Sequence, residues 1–175
     1  MIMDDAFSKE LKSLPGDTRR HMERAEGYLC LKMPMQAFEC LKTVPPALQS
    51  KGPFMHLLMQ IAHLQEDWSR GAALAEELCG RYADIPGFWV QHAYAIRRSQ
   101  SVGEAENILK EATRLFPGEA IFYYNLACYA AVEGRSTEAE RLLEKAINID
   151  STYVERGMED EDLATLANYL ESFVQ

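Results

Sequence analysis

Two histidines are the residues of this chain whose type and spacing first suggest chemistry. His56 and His63 are seven residues apart, so a helix would place both on one face. Imidazole is a common metal ligand, but two turns of helix separate the rings by roughly 10 Å, which is too far for one shared ion. The spacing therefore argues against a metal site, and we predict neither a metal nor a cofactor for this chain.

Signatures of catalysis are missing from the sequence. It contains no Walker loop, no G-x-G-x-x-G, no G-x-S-x-G and no H-E-x-x-H. The cysteines form no C-x-x-C pair, which favours buried thiols and leaves a disulfide or zinc framework as the alternative; they are Cys30, Cys40, Cys79 and Cys128. We therefore predict that the protein is not an enzyme.

Charge and hydropathy exclude several classes of partner. The 175 residues carry a net charge of −9, which disfavours binding to nucleic acids and to anionic membranes. No apolar run approaches the roughly 20 residues of a membrane span. The first ten residues lack the basic end and the apolar stretch of a secretory signal. We expect a cytoplasmic protein.

A repeat of small residues organises the chain into the elements that must position any binding site. Shifts of 34 residues superimpose four copies without an insertion. One column of the repeat holds Ala25, Met59, Ala93 and Ala127, and a second holds Ala37, Gly71, Ala105 and Ala139. Each copy contains two amphipathic stretches, so the repeating unit is predicted to be a helical hairpin.

Capping residues indicate where these helices begin and end. Gly134 can adopt the left-handed conformation that closes the first helix of copy four. Ser136 or Thr137 is then expected to cap its second helix. In copy three, Ser101 and Glu104 have the spacing of a capping box.

The columns resemble the pattern of the tetratricopeptide repeat (TPR) family. Copy four matches best, with Tyr123, Leu126, Ala127, Ala139, Leu143 and Ala146. The resemblance covers residues 18–153 and is weakest in copy one. It implies an all-α fold, a right-handed superhelical α-solenoid of antiparallel helical hairpins. In such a fold, alanines allow close approach where helix axes cross.

We expect one TPR-like domain, closed at both ends. Its predicted parts are an N-terminal helical cap at 1–17, repeats at 18–51, 52–85, 86–119 and 120–153, and a C-terminal capping helix at 154–175. The C-terminal helix would present an apolar stripe of Leu163, Leu166, Leu170 and Phe173, with an interaction helix as the rival interpretation. Its first residues would be capped by Asp160 or Asp162.

The N-terminal segment carries a shorter apolar face. Phe7, Leu11 and Leu14 lie at helical spacing, and the sequence "LPGD" then interrupts the helix. Asp17 is expected to cap the helix that follows. We predict that this short helix covers the first repeat.

In TPR proteins the first helix of each hairpin lines a concave groove that binds partners. The resemblance places Met22, Glu26 and Leu29 of copy one in this stripe. The candidate partner-binding residues are His56, Gln60, His63, Gln91, Tyr94, Arg97, Arg98, Tyr124, Asn125 and Cys128. Alternatively, the arginines pair with neighbouring glutamates and the tyrosines pack against adjacent helices.

The candidate groove is basic and aromatic in a chain that is otherwise acidic. Tyr and Arg are enriched in binding hot spots. We therefore predict a non-enzymatic scaffold or adaptor that binds a peptide or protein segment, and an acidic or carboxylate-bearing segment would suit the arginines. Two alternatives stay open: a structural subunit that self-associates through an end face, for example as a homodimer, and a chaperone for a secreted or assembling partner.

Some TPR proteins hold a peptide's C-terminal carboxylate in a clamp of basic and Asn side chains. Asn125 stands at one such place, but Val90 and Tyr94 replace the basic residue and the Asn of the preceding repeat. The clamp is incomplete, so C-terminal peptide binding of that kind is not predicted.

Overall fold

The computed structural model describes residues 6–173, which form helices joined by turns, without a β-strand. These residues belong to two compact units that divide between Gln100 and Ser101. Within the described range, no helix combines the length and the apolar character that crossing a bilayer would require. The predicted single domain and its repeat boundaries stay predictions.

Within residues 6–100, the described part of the first unit, the chain forms six α-helices. They are α1 (Ala6–Ser13), α2 (Gly16–Cys30), α3 (Pro34–Leu41), α4 (Gly52–Leu64), α5 (Trp68–Arg81) and α6 (Pro86–Ser99). A short 3-10 helix at Pro46–Leu48 precedes α4. Within this unit, α2 packs against α3, and α5 packs against both α4 and α6.

The second unit, described as far as residue 173, has five α-helices in that range. They are α7 (Val102–Leu115), α8 (Ala120–Val132), α9 (Ser136–Ile149), α10 (Tyr153–Met158) and α11 (Ala167–Glu171). A 3-10 helix at Glu161–Leu166 connects α10 with α11. In this unit α8 packs extensively against α9 and also contacts α7 and the 3-10 helix.

The helix boundaries follow the 34-residue period of the sequence. The first helices α4, α6 and α8 begin at Gly52, Pro86 and Ala120. The second helices begin with the same interval, at Pro34, Trp68, Val102 and Ser136. The predicted helical hairpin of each copy is therefore present as two successive helices.

The small-residue columns are fully buried. No solvent-accessible surface remains on Ala25, Ala37, Met59, Ala93, Ala105, Ala127 or Ala139. All of these side chains except Met59 are small, and all are enclosed by their neighbours. The backbones of packed helices can therefore approach closely at the alanines. The packing role predicted for the alanines is confirmed.

Of the three helix caps predicted within copies three and four, two are confirmed. Gly134 has a φ of 73°, and the Oγ of Ser101 accepts a hydrogen bond from the amide of Glu104 at 3.2 Å. The cap predicted for α9 is wrong. Arg135 occupies its N-cap position, and no side-chain hydrogen bond caps the helix; the Arg135 guanidinium binds the carboxylates of Glu106 and Glu138.

Helix α1 lies against α4. The interruption after α1 is present, but Asp17 does not cap the following helix. Helix α2 already begins at Gly16, and Asp17 pairs with Arg20 one turn later. Residues 1–5 of the predicted N-terminal cap lie outside the described residues.

As far as residue 173, the C-terminal segment is divided into three short helices, where the sequence predicted one. Asp160 does cap the middle one, since its Oδ1 accepts from the amide of Asp162 at 3.0 Å. The predicted apolar stripe is buried at Leu163, Leu166 and Leu170. Phe173 stays 38% exposed, and residues 174–175 lie outside the described range.

Candidate partner-binding site

Helices α2 and α4 of the first unit, with α1 on one side and α6 on the other, line two adjoining clefts that share Glu26. The first cleft has a volume of about 410 Å³ and is lined by Phe7, Leu11, Lys12, Arg19, Met22, Glu23, Glu26, Pro53, His56 and Leu57. The second cleft has a volume of about 460 Å³ and is lined by Glu26, Leu29, Cys30, Gln60, His63, Leu64 and Gln91. Four of the predicted site residues therefore line clefts.

His56 lies in the wall of the first cleft, between two aromatic rings. Its imidazole contacts Phe7 and Phe88 edge-on, with ring centroids 5.8 and 5.4 Å apart. The amide of Gln60 donates to its Nε2 at 2.8 Å, which requires a neutral ring. Burial lowers the pKa of His56. This histidine therefore contributes an uncharged aromatic surface at neutral pH.

His63 lies in the second cleft, close to Gln91. Burial lowers the pKa of His63, and a hydrogen bond with Gln91 partly opposes this effect. Its Nε2 is buried and has no hydrogen-bond partner among the residues that the structure describes. Its ring also contacts Trp68 and Tyr94, at centroid distances of 5.8 and 6.3 Å.

A partly exposed aromatic and cationic cluster lies beside His63. Tyr94 is 42% exposed and meets Trp68 edge-on at 5.5 Å. The guanidinium of Arg98 lies 4.9 Å from the centre of the Trp68 ring, and Arg97 is half-buried. The cation–π contact of Arg98 was not predicted, because Trp68 begins the second helix of its copy and lies outside the groove stripe.

Of the three site residues predicted on α8, two are buried and the third is half-buried. Tyr124 is only 2% exposed, and its hydroxyl donates to Asp160 Oδ2 at 2.6 Å. Cys128 is 3% exposed and lies 3.7 Å from the same carboxylate oxygen. The prediction that Tyr124 and Cys128 face a partner is wrong, because the C-terminal segment covers this face of α8. Asn125 is half-buried, and its Nδ2 donates to the carbonyl of Ile121 at 2.7 Å.

The contact between α8 and the C-terminal segment brings together groups of the types that bind metal ions. Ligand atoms of Cys128, Asp160 and Asp162 lie within 4.8 Å of one another. Both oxygens of Asp160 already accept hydrogen bonds, one from the amide of Asp162 and one from the hydroxyl of Tyr124. Burial and the bond to Asp160 raise the pKa of Tyr124 above its usual value. Helix capping therefore accounts for this cluster.

A carboxylate site at the start of α4 has no signal in the sequence. The carboxylate of Glu10 in α1 accepts a hydrogen bond from the amide of Gly52 at 2.8 Å and a second from the hydroxyl of Tyr82. It also forms an ion pair with Lys51 Nζ at 3.2 Å. Burial would raise the pKa of Glu10, but these bonds together lower it. Burial and the bond to Glu10 raise the pKa of Tyr82 to about 12.

Comparison with known proteins identifies the fold. No protein-family model and no curated protein matches the chain. A crystal structure of MamA is similar with a TM-score of 0.67 and 14% identity, over 86% of this chain and 88% of that one. A MamA structure from Desulfovibrio magneticus RS-1, spanning residues 41 to the end, has a TM-score of 0.69 and 13% identity, over 93% and 95% of the two chains.

A third similar structure is that of YrrB, described as a TPR protein with an unusual peptide-binding site. Its TM-score is 0.61 at 14% identity, over 95% of this chain and 84% of that one. Likeness at this level of identity shows a shared fold. The predicted all-α, TPR-like fold is therefore confirmed.

Proposed function

We propose that this TPR-like chain is a non-enzymatic interaction scaffold that binds a peptide or protein segment along the two clefts of its first unit. The observation that carries the proposal is the pair of adjoining clefts, lined by the first helices of successive hairpins and joined at Glu26. A segment that follows both clefts would contact α2 and α4 throughout, with α1 at one end and α6 at the other.

The lining of the clefts suits a peptide better than a small reactive substrate. The first cleft combines an apolar floor that includes Met22 and Leu57 with charged residues of both signs. The second cleft offers the side-chain amides of Gln60 and Gln91, which can both donate to and accept from a peptide backbone. Such a mixture of apolar contact and a few polar groups is typical of binding sites.

The cluster beside the second cleft supports an acidic or carboxylate-bearing partner. Tyr94 is exposed, and the guanidinium of Arg98 is held over Trp68. Tyrosine adds contact area at low entropic cost, and arginine binds carboxylates through charge-assisted hydrogen bonds. The peptide-binding site that YrrB is described as having also supports this class of function.

The test is a selection of a random peptide library on the immobilised full chain. Selected peptides are then titrated against Gln60→Ala with Gln91→Ala, which removes both amides of the second cleft. We expect at least about a tenfold loss of affinity, because each lost hydrogen bond contributes roughly 1 kcal/mol. The matched control replaces two exposed amides on second helices, Gln36→Ala with Asn107→Ala, and should keep the wild-type affinity.

Three results would contradict the proposal. The library could yield no binding peptide, the cleft variant could bind as tightly as the wild type, or the control could lose as much affinity as the cleft variant. Self-association of the full chain through an end face would instead appear as a stable dimer whose formation is insensitive to the cleft substitutions.

A further inference from the structure

We propose that the aromatic pocket formed by His56, Tyr82 and Phe88 is a docking site for a helical segment of a partner protein, one that carries an aromatic residue followed three positions later by a carboxylate. Helix α1 occupies this site within the chain, through Phe7 and Glu10. The proposal rests on the scaffold function above and specifies the chemistry of its partner.

The ring of Phe7 fills the aromatic pocket. Its centroid lies 5.8 Å from that of His56, 5.3 Å from that of Tyr82 and 5.5 Å from that of Phe88. All three contacts are edge-to-face, the arrangement that aromatic pairs favour. His56 adds no positive charge to the pocket at neutral pH, because its Nε2 accepts a hydrogen bond from Gln60 and burial lowers the pKa of its ring. The pocket therefore selects an aromatic side chain.

Glu10 supplies the second feature, one helical turn after Phe7. Residues three apart lie on the same helix face, so both side chains point toward the same surface. The carboxylate binds the amide of Gly52 at the N-terminus of α4, where the helix dipole favours a negative charge. The hydroxyl of Tyr82 and the ammonium of Lys51 complete its surroundings.

Gly52 makes this carboxylate site possible. A Cβ at position 52 would lie 2.2 Å from the hydroxyl oxygen of Tyr82 and 2.4 Å from its ring. Only glycine therefore allows Tyr82 to lie against the start of α4. The amide and the hydroxyl can then bind the same carboxylate oxygen, Oε2 of Glu10.

Helix α1 is a weakly held occupant. It has eight residues, and none of them is buried. Isolated helices shorter than about 12–15 residues are marginal in water, so the stability of α1 depends on its contacts with the pocket. Elements with few buried contacts open at low free-energy cost. Another segment with the same two side chains can therefore compete with α1.

The position of the pocket favours a partner segment over the α1 of a second copy. The chain's own α1 is joined to α2 through Leu14 and Pro15, which gives it a high effective concentration that an identical α1 from another molecule cannot exceed. A partner segment longer than α1 gains further contacts, because the site of α1 borders the first cleft, which Phe7 and Leu11 line. A segment that replaces α1 can continue from the aromatic pocket into that cleft.

The test measures binding of a capped peptide with the sequence of residues 6–14 to the full-length chain. In the variant Phe7→Ala with Glu10→Ala, the internal occupant has lost both contacts. We expect the peptide to bind this variant at least about tenfold more tightly than it binds the wild type, because a docked α1 reduces the fraction of accessible sites. A peptide lacking the Phe and Glu side chains should bind neither protein.

A receptor substitution identifies the site. Adding Tyr82→Phe to the variant removes one hydrogen bond to the carboxylate and should weaken peptide binding by about fivefold or more. If the double variant loses more helicity than the eight residues of α1 account for, Glu10→Gln alone serves instead, with an expected gain of about threefold over the wild type.

Several outcomes would overturn the proposal. They are equal binding to wild type and variant, no binding to either, binding that ignores Tyr82→Phe, and a wild-type chain that dimerises by exchanging α1. Library-selected peptides that depend on Gln60 and Gln91 would still support the scaffold function in each of these cases, because those residues line the second cleft, whose lining includes no residue of α1.

Discussion

The imidazole of His63 occupies the space in which a side chain at position 71 would begin. A Cβ built on Gly71 would lie 2.5 Å from Cδ2 and 2.7 Å from Nε2 of that ring. The other three copies of the repeat have alanine in this column, so the glycine is matched to the large side chain at position 63. His63 also lines the second cleft, so its contact with Gly71 connects the core of this hairpin with the candidate binding surface.

The first prediction follows from this contact. Gly71→Ala should reduce the free energy of unfolding by roughly 1–3 kcal/mol, since the imidazole must move for the new methyl group to fit. Adding His63→Ala should remove most of that penalty, so a double-mutant cycle should show a coupling energy of about 0.5–3 kcal/mol. Urea denaturation followed by circular dichroism measures all three variants.

Gly80 is the matched control for that cycle. It lies on the same helix, α5, and a Cβ there would meet no atom within 4 Å. Gly80→Ala should therefore be neutral or stabilise by up to about 1 kcal/mol. Equal losses at both glycines would show that helix α5, and not the contact with His63, causes the effect.

The second prediction concerns the C-terminal segment that covers α8. Deleting residues 154–175 should cause aggregation or oligomerisation, because Tyr124 and the surrounding apolar face of α8 would become exposed. A milder variant, Asp160→Ala, removes both the helix cap and the acceptor for the Tyr124 hydroxyl. It should cost roughly 1–3 kcal/mol, whereas Glu161→Ala at the neighbouring exposed position should cost little.

Size-exclusion chromatography with light scattering tests the deletion, and chemical denaturation tests the point variants. A soluble, monomeric deletion variant would show that this segment is an independent interaction element. The rival interpretation of its apolar stripe would then be favoured.

The third prediction concerns the arginines beside the second cleft. Arg97→Glu with Arg98→Glu should reduce binding of acidic partner peptides by about tenfold or more, because charge-assisted hydrogen bonds are replaced by repulsion. The helical content should stay unchanged. Arg114→Glu with Arg141→Glu changes the net charge equally, at two exposed positions in the second unit.

Fluorescence anisotropy at two salt concentrations separates local from long-range electrostatics. Long-range repulsion by an acidic chain is screened within about 10 Å at 0.1 M salt, so the control pair should have little effect under those conditions. If both charge reversals weaken binding equally, overall charge and not the Arg98 cluster determines recognition.

The fourth prediction is a loss of stability under mildly acidic conditions. Burial lowers the pKa of His56, His63 and His92 below the ordinary value of 6.5, although Glu76 partly opposes the effect at His92. A lowered folded-state pKa means that the unfolded chain takes up protons first. The stabilising contribution is therefore complete above about pH 6.5 and falls as the pH drops below it.

Tryptophan fluorescence reports on this effect, because both tryptophans, Trp68 and Trp89, lie in the first unit. The free energy of unfolding by urea should be lower at pH 5.5 than at pH 7.5. Replacing the three histidines by Gln should flatten this dependence. A wild-type chain and a Gln variant with the same pH dependence would show that other groups are responsible.

The features that the sequence predicted correctly are local or periodic. Ala25, Ala93 and Ala127 lie at fixed intervals on amphipathic helices, and burial of one such column follows from helix geometry whichever helix is the neighbour. The cap at Ser101 and the turn at Gly134 depend on residues within one turn of helix. His56 and Gln60 lie on one helix face because they are one turn apart, and their side chains form a hydrogen bond.

Contacts between residues distant in the chain were decided by the tertiary structure alone. Asp160 reaches Tyr124 from a separate helix, which converts a predicted binding residue into a buried one. Glu10 meets Gly52 across 42 residues, and no periodicity connects the two. Helical spacing specifies which face a side chain occupies, but which segment covers that face depends on the path of the whole chain.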